Sequence, residues 1–382
     1  MDYRTAGESH GRALTALVSG VPAGVPLSAV DIDSDLDRRR GGYGRGGRMA
    51  IEQDRALITS GVRFGVTIGS PVAITIANRD AVNWTDVMPI AGQRPAEGAV
   101  TMPRPGHADL AGCQRTGSQD ARDVLERASA RETAARVAAG GVAKALLAAL
   151  GVSVFSWVER IGDVSAGPYA AEHVDLDAVA ASAVRCPDEE LSHAMRGAID
   201  LARNDGDTLG GVVAVAAIGV VPGVGSYAER PRGLDAQLAA ALCSIPSVKG
   251  VEFGDGFAAA ASVGSKVHDP IVRGADGVVR RGSNHAGGLE GGMTNGEPVV
   301  ARIAVKPIPT LMRPLKTIDL VTGERVDAIR ERSDVCAVPA AGIVAEAEVA
   351  LVLADAYTRM FGDTCVDDMR AAIERYRART VL

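Results

Sequence analysis

A mixed α+β fold with an internal pseudo-twofold repeat is predicted by three observations. Strand-like and helix-like segments are both substantial but do not alternate, which disfavours a doubly wound parallel sheet. One glycine–proline pattern occurs twice in register. The 45 glycines form no Gly-X-Y period and sit in short clusters between apolar runs, as tight turns and close backbone approaches require.

Alternation and β-branched content predict strands over Leu14–Ser19, Val72–Ala77, Val152–Val158, Val212–Val221 and Val299–Val305. Helical patterns run over about 120–150, 235–244, 340–360 and 364–379. A shorter helix is expected from Asp31, with acids in its first turns, Arg38–Arg40 in its last and Gly41-Gly42 to stop it. The repeat sets Gly61, Gly65, Thr67, Gly69, Pro71, Val72, Ile76 and Ala77 against Gly288, Gly292, Thr294, Gly296, Pro298, Val299, Ile303 and Ala304, each pair 227 positions apart. In both copies a glycine-rich turn passes through proline into an apolar strand, and proline suits a first strand residue that donates to no ladder. Two related halves in one interlocked domain spanning 1–382 are expected, since no Pro/Ser-rich linker separates them.

Apolar residues at 47% allow a sizeable core, and aromatics at 3% require it to be built from Ala, Val, Leu and Ile. A net charge of −6 with so few aromatics argues against general nucleic-acid binding. The five scattered cysteines lack C-x-x-C spacing, so neither a disulfide framework nor a zinc site is expected, and reduced thiols fit a cytoplasmic protein. No signal-like N-terminus and no 18-residue apolar run points to a membrane.

Positive charge is concentrated where glycine is. Arg38, Arg39, Arg40, Arg45 and Arg48 fall within eleven residues, and the last two lie in Gly42-Tyr-Gly-Arg-Gly-Gly-Arg48. Helix-dipole complementation accounts for Arg38–Arg40 but not for Arg45 or Arg48. A glycine loop carrying guanidiniums suits phosphate or carboxylate, whose geometry matches the guanidinium fork. Gly42-x-Gly44-x-x-Gly47 is formally a dinucleotide fingerprint, but an Asp/Arg helix precedes it where a strand is needed. Arg127 and Arg131 share a helical face; Asp123 can pair with Arg127, whereas Arg131 has no acid at i±4 and favours an anion.

Three of the six histidines sit in glycine- or proline-bracketed loops: His10 in Gly7-Glu-Ser-His-Gly11, His107 in Arg104-Pro-Gly-His-Ala-Asp109, and His285 in Asn284-His-Ala-Gly-Gly288. Such histidines suit proton transfer near neutrality, although loop polar residues are common without such a role. His173, His193 and His268 sit among ordinary polar surface residues, and no spacing implies a metal. Asp334, beside Arg332 and ahead of a long apolar helix, suits either an ion pair or a proton acceptor at an anion site.

Taken together, and in this order, Ala6–Gly11, the Arg39–Arg48 loop, Ser60–Gly65 with Gly69-Ser-Pro71, Arg104–Asp109, Arg127–Thr133, Gly206-Asp-Thr-Leu-Gly210, Asn284–Gly288, Gly291-Gly-Met-Thr-Asn-Gly296, Lys306–Thr310 and Arg332–Pro339 closely resemble chorismate synthases over nearly the whole chain. The resemblance implies a layered β-α-α-β sandwich, a homotetramer, and loss of phosphate and a ring proton from 5-enolpyruvylshikimate 3-phosphate to give chorismate. It implies reduced FMN (FMNH2) as cofactor, lending an electron transiently and assisting proton removal at N5 without net redox change, with NADPH as an indirect reductant. By the same resemblance His10 would stand at the leaving phosphate and His107 would protonate the flavin. Asp334 would assist at N5, with Ser9 and Ser129 as relay hydroxyls. Arg39, Arg45, Arg48, Arg104, Arg131 and Arg332 would hold anions, Arg39 and Arg45 also being linked with NADPH. Arg127, Ala128, Ser129, Pro246, Ser247, Gly291, Lys306, Pro307, Ile308, Pro309, Thr310 and Arg332 would line the flavin.

One stretch departs from the family pattern. After Asp109 a Lys-Tyr pair is usual, but this chain reads Cys113-Gln-Arg-Thr-Gly-Ser-Gln-Asp120, so loop closure or flavin contacts are expected to differ there. Two other readings use parts of the same sequence: an NADPH-linked flavin reductase built on the Gly42–Gly47 loop, and a non-catalytic anion- or RNA-binding protein using the arginines.

Overall fold

The computed structural model describes residues 1–47, 51–94, 98–275, 277–331 and 333–380. The first half begins with β1 (Asp2–Ala6), β2 (Ala13–Ser19), α1 (Ala29–Arg40), β3 (Leu57–Ser60) and β4 (Val72–Ala77). Then come α2 (Asp109–Thr116), α3 (Arg122–Ala128) and α4 (Thr133–Ala149). The second half contains β5 (Ser153–Ile161), α5 (Glu189–Asn204), β6 (Gly211–Ile218), α6 (Leu234–Cys243), β7 (Val248–Phe253), β8 (Val299–Val305), α7 (Val338–Phe361) and α8 (Val366–Thr380). Short hairpins fill several of the connections.

Two antiparallel sheets face each other across two layers of helix. The first sheet runs β1-β2-β4-β3 and the second β5-β6-β8-β7, with a short strand at the β5 edge. Each sheet carries a register irregularity where its third and fourth strands pair, at Ile58/Ser60 and at Val248/Gly250. α4 packs on β2 and β4, α7 packs on β5 and β6, and α4 lies against α7. The result is the β-α-α-β sandwich.

The helix interface is made of small residues. Ala134, Ala135, Ala138 and Ala139 of α4 and Ala345, Ala347 and Ala350 of α7 are all buried. Gly140 is required there, because a Cβ on it would land on Ala347. This close approach lets a chain with few aromatics fill its centre at native density.

The repeated glycine–proline segments occupy corresponding places in the two sheets. Each forms a hairpin, 62–67 and 289–294, that leads into β4 or β8. Gly61 and Gly288 have φ of +86° and +75°, and a Cβ on either would come within 2.8 Å of a backbone Cα, that of Val72 or Val299. Thr67 Oγ1 donates to Pro22 O and accepts from Val25 N, as Thr294 Oγ1 donates to Val221 O and accepts from Val224 N.

Two expected segments differ. The helix expected over 120–150 is three pieces, α3, a single turn at 130–132, and α4, because Ser129 is extended and caps the turn by accepting from Arg131 N. The strand expected to Val221 stops at Ile218, where Gly219 takes φ of +80°. Polar-edged β1 and the long amphipathic α5 are further elements the periodicity did not single out.

A buried carboxylate lies between the helical layers. Glu346 of α7 accepts from Arg38 Nη1 and Nη2 at 2.8 and 2.7 Å, Lys144 Nζ at 2.6 Å and Ser156 Oγ at 2.7 Å. Burial alone would raise its pKa, but the charges of Lys144, Arg38 and Arg185 and the Arg38 hydrogen bonds hold it down at about 2. Its folded value is depressed, so the stability it contributes is complete above the ordinary carboxylate range and is lost as pH falls toward 2. Glu346→Ala takes the buried counter-charge from Arg38, Lys144 and Arg185, of which the first two keep only Asp35 among the described residues. It should cost about 3–5 kcal/mol in urea unfolding at neutral pH, and the deficit should shrink on acidification. A cost under about 1 kcal/mol at neutral pH would contradict this.

Candidate active site

A cavity of about 620 Å³ opens between the helical layer and the loops that leave the sheets. That volume is in the about 300–1,000 Å³ range of small-molecule sites. Part of its lining is apolar, with Leu125, Ile245, Val305, Ile329, Ala340, Ala341 and Val344. Part is charged, with Arg39, Arg45, Arg104, Arg122, Arg131 and Lys306 beside Glu331 and Asp334.

The arginines of α1 are sorted by helical geometry. Successive residues point about 100° apart, so Arg38 reaches Glu346, Arg40 reaches Asp37 and Glu52 O, and Arg39 reaches the cavity. Arg39 donates Nε to Thr133 Oγ1 at 2.9 Å and Nη2 to Ala130 O at 2.9 Å. Its buried Nη1 has no hydrogen-bond partner among the described residues, with Asp54 at 3.6 Å. Burial pushes its guanidinium down to about 9; Asp54 opposes this, while Arg45 and Arg131 push the same way. The group is still charged at neutrality, and the shift records chiefly its burial.

The glycine loop after α1 packs by backbone contact. Gly44 has φ of +89°, and a Cβ there would press on Cys336. Val335 N donates to Gly44 O at 2.8 Å. This seats Asp334 against the loop, where it accepts from Arg45 Nη1 and Gly46 N, both at 2.6 Å. No strand precedes the loop, so the dinucleotide pattern at Gly42–Gly47 has no βα turn to build on.

Arg131 finds its acids outside its own helix. It donates to Asp54 Oδ1 at 2.6 Å and to Asn78 Oδ1 at 2.9 and 2.7 Å, with Glu52 at 3.7 Å. Asn78 Nδ2 in turn donates to Gly11 O at 2.7 Å, so this arginine braces the loop that carries His10. Arg104 is likewise engaged, with Asp109 at 2.8 Å and Thr310 Oγ1 at 3.1 Å.

Two of the three expected loop histidines, His10 and His107, line the cavity, and each rests Nδ1 on a buried carboxylate. His10 Nδ1 lies 2.8 Å from Glu126 Oε1, and its ring stacks on Trp84 with centroids 3.8 Å apart. His107 Nδ1 contacts Asp109, with Arg104 Nη2 at 3.2 Å. Burial alone would raise Asp109, but its hydrogen bonds to His107 and Arg104 hold it far below the carboxylate range. Glu331 spans the two sides, meeting Arg122 at 3.2 Å and Arg104 at 3.7 Å.

The remaining expected residues divide. Ser9, Ala128, Ser129, Pro246, Ser247, Lys306, Ile308, Pro309, Thr310 and Asp334 line the cavity. Ser247 takes φ of +72°, a left-handed conformation unusual for a residue with a side chain, at the turn before β7. Thr208 Oγ1 donates to Ile308 O, which holds the 306–310 exit in place. Burial and Lys249 lower the ammonium of Lys306, which donates to Gly106 O. Arg127 instead turns outward onto Thr5 and Gly7 O, while Asp123 is taken by Arg94. Pro307 is exposed, and Gly291 is the exposed tip of the 289–294 hairpin; neither is among the lining residues. His285 pairs with Asp255 away from the cavity. Arg48 and Arg332 lie outside the described residues.

Sequence reasoning missed Trp84, Arg122, Glu126 and Glu331. Arg122 and Glu126 form an i,i+4 pair that reads as an exposed helical face, yet both border the cavity or its histidine. Trp84 is one of only two tryptophans, the one signal that pointed to it. The departing segment forms the end of α2 and its αL glycine, Gly117, and buries Cys113 against Val100, Ala121 and Leu125. Cavity lining stops at Ala108 and resumes at Arg122.

The family model for chorismate synthase matches residues 1–358. The chain belongs to the chorismate synthase family. It is 54% identical over 378 residues to the chorismate synthase of Rubrobacter xylanophilus, covering 99% of this chain and 96% of that one. It is 52% identical over 384 residues to that of Mycobacterium avium, covering 98% and 95%. A crystal structure of chorismate synthase superposes with a TM-score of 0.78 at 38% identity, covering 99% of this chain and 98% of that chain. The family is one of flavin-dependent lyases of the shikimate pathway.

Arg39 lines the cavity with a charged guanidinium. Inorganic phosphate should therefore raise the melting temperature, and Arg39→Met should weaken its apparent affinity about 10–100-fold, the worth of one charged hydrogen bond. Equal protection of both proteins would place the anion elsewhere.

Proposed function

We propose that this cavity carries out the family reaction, the elimination of phosphate and a ring proton from 5-enolpyruvylshikimate 3-phosphate to give chorismate, with reduced FMN as cofactor. The observation that carries the reading is one cavity that brings together apolar residues, arginines and Lys306, and two carboxylate-held histidines. The substrate brings a phosphate and two carboxylates to that charge. The apolar lining and the guanidiniums of Arg39 and Arg45 also suit a flavin and its phosphate.

Arg39 and Arg45, with Arg48 and Arg332, hold anionic groups. Arg104 and Arg131 act mainly by holding the histidine loops, since their own donors are occupied. His10 gives a proton to the departing phosphate, Ser9 beside it. His107 holds a proton at the flavin, and Asp334 receives the ring proton near Ser129. Ser247, Pro246 and the 306–310 exit support the flavin ring. When bound, reduced FMN supplies an electron transiently and recovers it, so no net oxidation accompanies turnover. NADPH is an indirect reductant that meets the chain at Arg39 and Arg45.

We read the chain as one catalytic domain of two related halves, assembled as a homotetramer in the cytoplasm. Outward Leu17, Leu57, Thr15 and Thr75 leave much of the first sheet's outer face uncharged, which supports a partner copy there. The equivalent face of the second sheet is covered by its own chain around Trp157, Ala171 and Val179. Free cysteines support the compartment, and no helix among the described residues is long and apolar enough to cross a membrane.

Assayed without oxygen on chemically reduced FMN, His10→Ala and His107→Ala should each lower kcat about 10²–10⁴-fold, with a smaller effect on substrate binding. Wild-type turnover in both variants would overturn the assignment. NADPH oxidation without the phosphorylated substrate would favour a flavin reductase instead.

A further inference from the structure

We propose that Glu126 is the positioning residue for His10, holding the imidazole by Nδ1 so that proton exchange with the substrate runs through Nε2. This rests on His10 acting as the proton donor proposed above.

Glu126 grips the His10 loop three times. Its Oε2 accepts from the backbone N of His10 at 2.8 Å, its Oε1 meets His10 Nδ1 at 2.8 Å, and its own carbonyl accepts from Ser9 N at 2.8 Å. The two backbone contacts would be enough to fasten a loop. The Nδ1 contact does something further, because an ionised carboxylate only accepts and so fixes the ring proton on Nδ1. Burial alone would raise Glu126, but the hydrogen bonds and charge of His10, with the Arg122 hydrogen bond, hold it below the ordinary carboxylate range. It is thus an anion at working pH and can only accept from the ring.

Ring rotation is restricted as well. Trp84 covers one face of His10, and Trp84 Nε1 donates to Asp80 Oδ2 at 3.1 Å. The Arg122 guanidinium lies over the other ring system, 5.1 Å from the Trp84 centroid, and donates to Glu126 Oε1 at 2.9 Å. Among the described residues, the charged groups around His10 include Glu126 and Arg122 from α3 and Asp80 behind Trp84. Arg122 continues to Glu331, which links this assembly to Arg104. With Nδ1 committed to Glu126 and the ring plane held, Nε2 is the nitrogen that Glu126 does not hold, on a residue that lines the cavity.

The test uses the intact assembled protein with reduced FMN under anaerobic conditions. Glu126→Gln keeps the shape and removes the charge. Its kcat should fall about 100-fold with KM for the phosphorylated substrate nearly unchanged. Glu126→Asp, which keeps the charge, should restore part of kcat. Nitrogen-15 NMR of labelled histidine, with the His10 signals identified by their loss in His10→Asn, should show the Nδ1–H form of the neutral ring in wild type and loss of that bias in Glu126→Gln. If His10→Ala keeps wild-type kcat, the underlying role of His10 is wrong and the positioning role falls with it. If His10→Ala is inactive while Glu126→Gln keeps wild-type kcat and the Nδ1–H form, the positioning role alone is overturned. Should Glu126→Gln fail to fold, an Nε2–H form of His10 in wild type overturns it equally.

Discussion

Buried positive charge held in place by carboxylates behind it is the constraint on which the site depends. Arg39, Arg45 and Arg131 converge on one cavity, and burying them would be prohibitive without Asp54, Asp334 and Glu52. Arg131 is fully hydrogen-bonded and becomes a brace. Arg39 is held less tightly, with Nη1 only 3.6 Å from Asp54 and no hydrogen bond there among the described residues. An acidic chain thereby presents a local cationic site, which net charge alone would never suggest.

The scaffold is organised to hold that cluster still. The small-residue contact of α4 with α7 fixes the helix layer beneath it, and Glu346 ties α1 and α4 to α7 through Arg38 and Lys144. α1 then delivers Arg39, and the start of α4 delivers Thr133 to orient it. The histidines come from loops, one on each side of the cavity, and each is rigidified by a carboxylate from its own neighbourhood rather than by the loop backbone alone. Loop residues can serve chemistry when a rigid element grips them in this way.

Much of this was legible in the sequence because it is local. The strands over Val72–Ala77 and Val299–Val305 follow from alternation after a proline. The glycine pattern at 61–69 and 288–296 reports backbone conformations that only glycine adopts readily, so the repeat survives where side chains have diverged. His10, His107 and Asp334 were visible from their loop contexts. What was not legible depends on distant pairing. Arg131 has no acid within its helix, and only the fold brings Asp54 and Asn78 to it. Glu126 looked like half of an exposed helical pair, and only the fold turns it onto His10. Arg127 was placed with the flavin by resemblance, but its side chain runs outward to β1.

The central claim is that the chain itself supplies anion binding and proton placement, with electron supply left to the cofactor. An anaerobic single turnover on reduced FMN, following phosphate, chorismate and flavin absorbance together, tests it most directly. The account predicts phosphate and chorismate in equal amounts, with the flavin reduced at the end as at the start. Phosphate release without flavin, or flavin left oxidised in proportion to product, would contradict it.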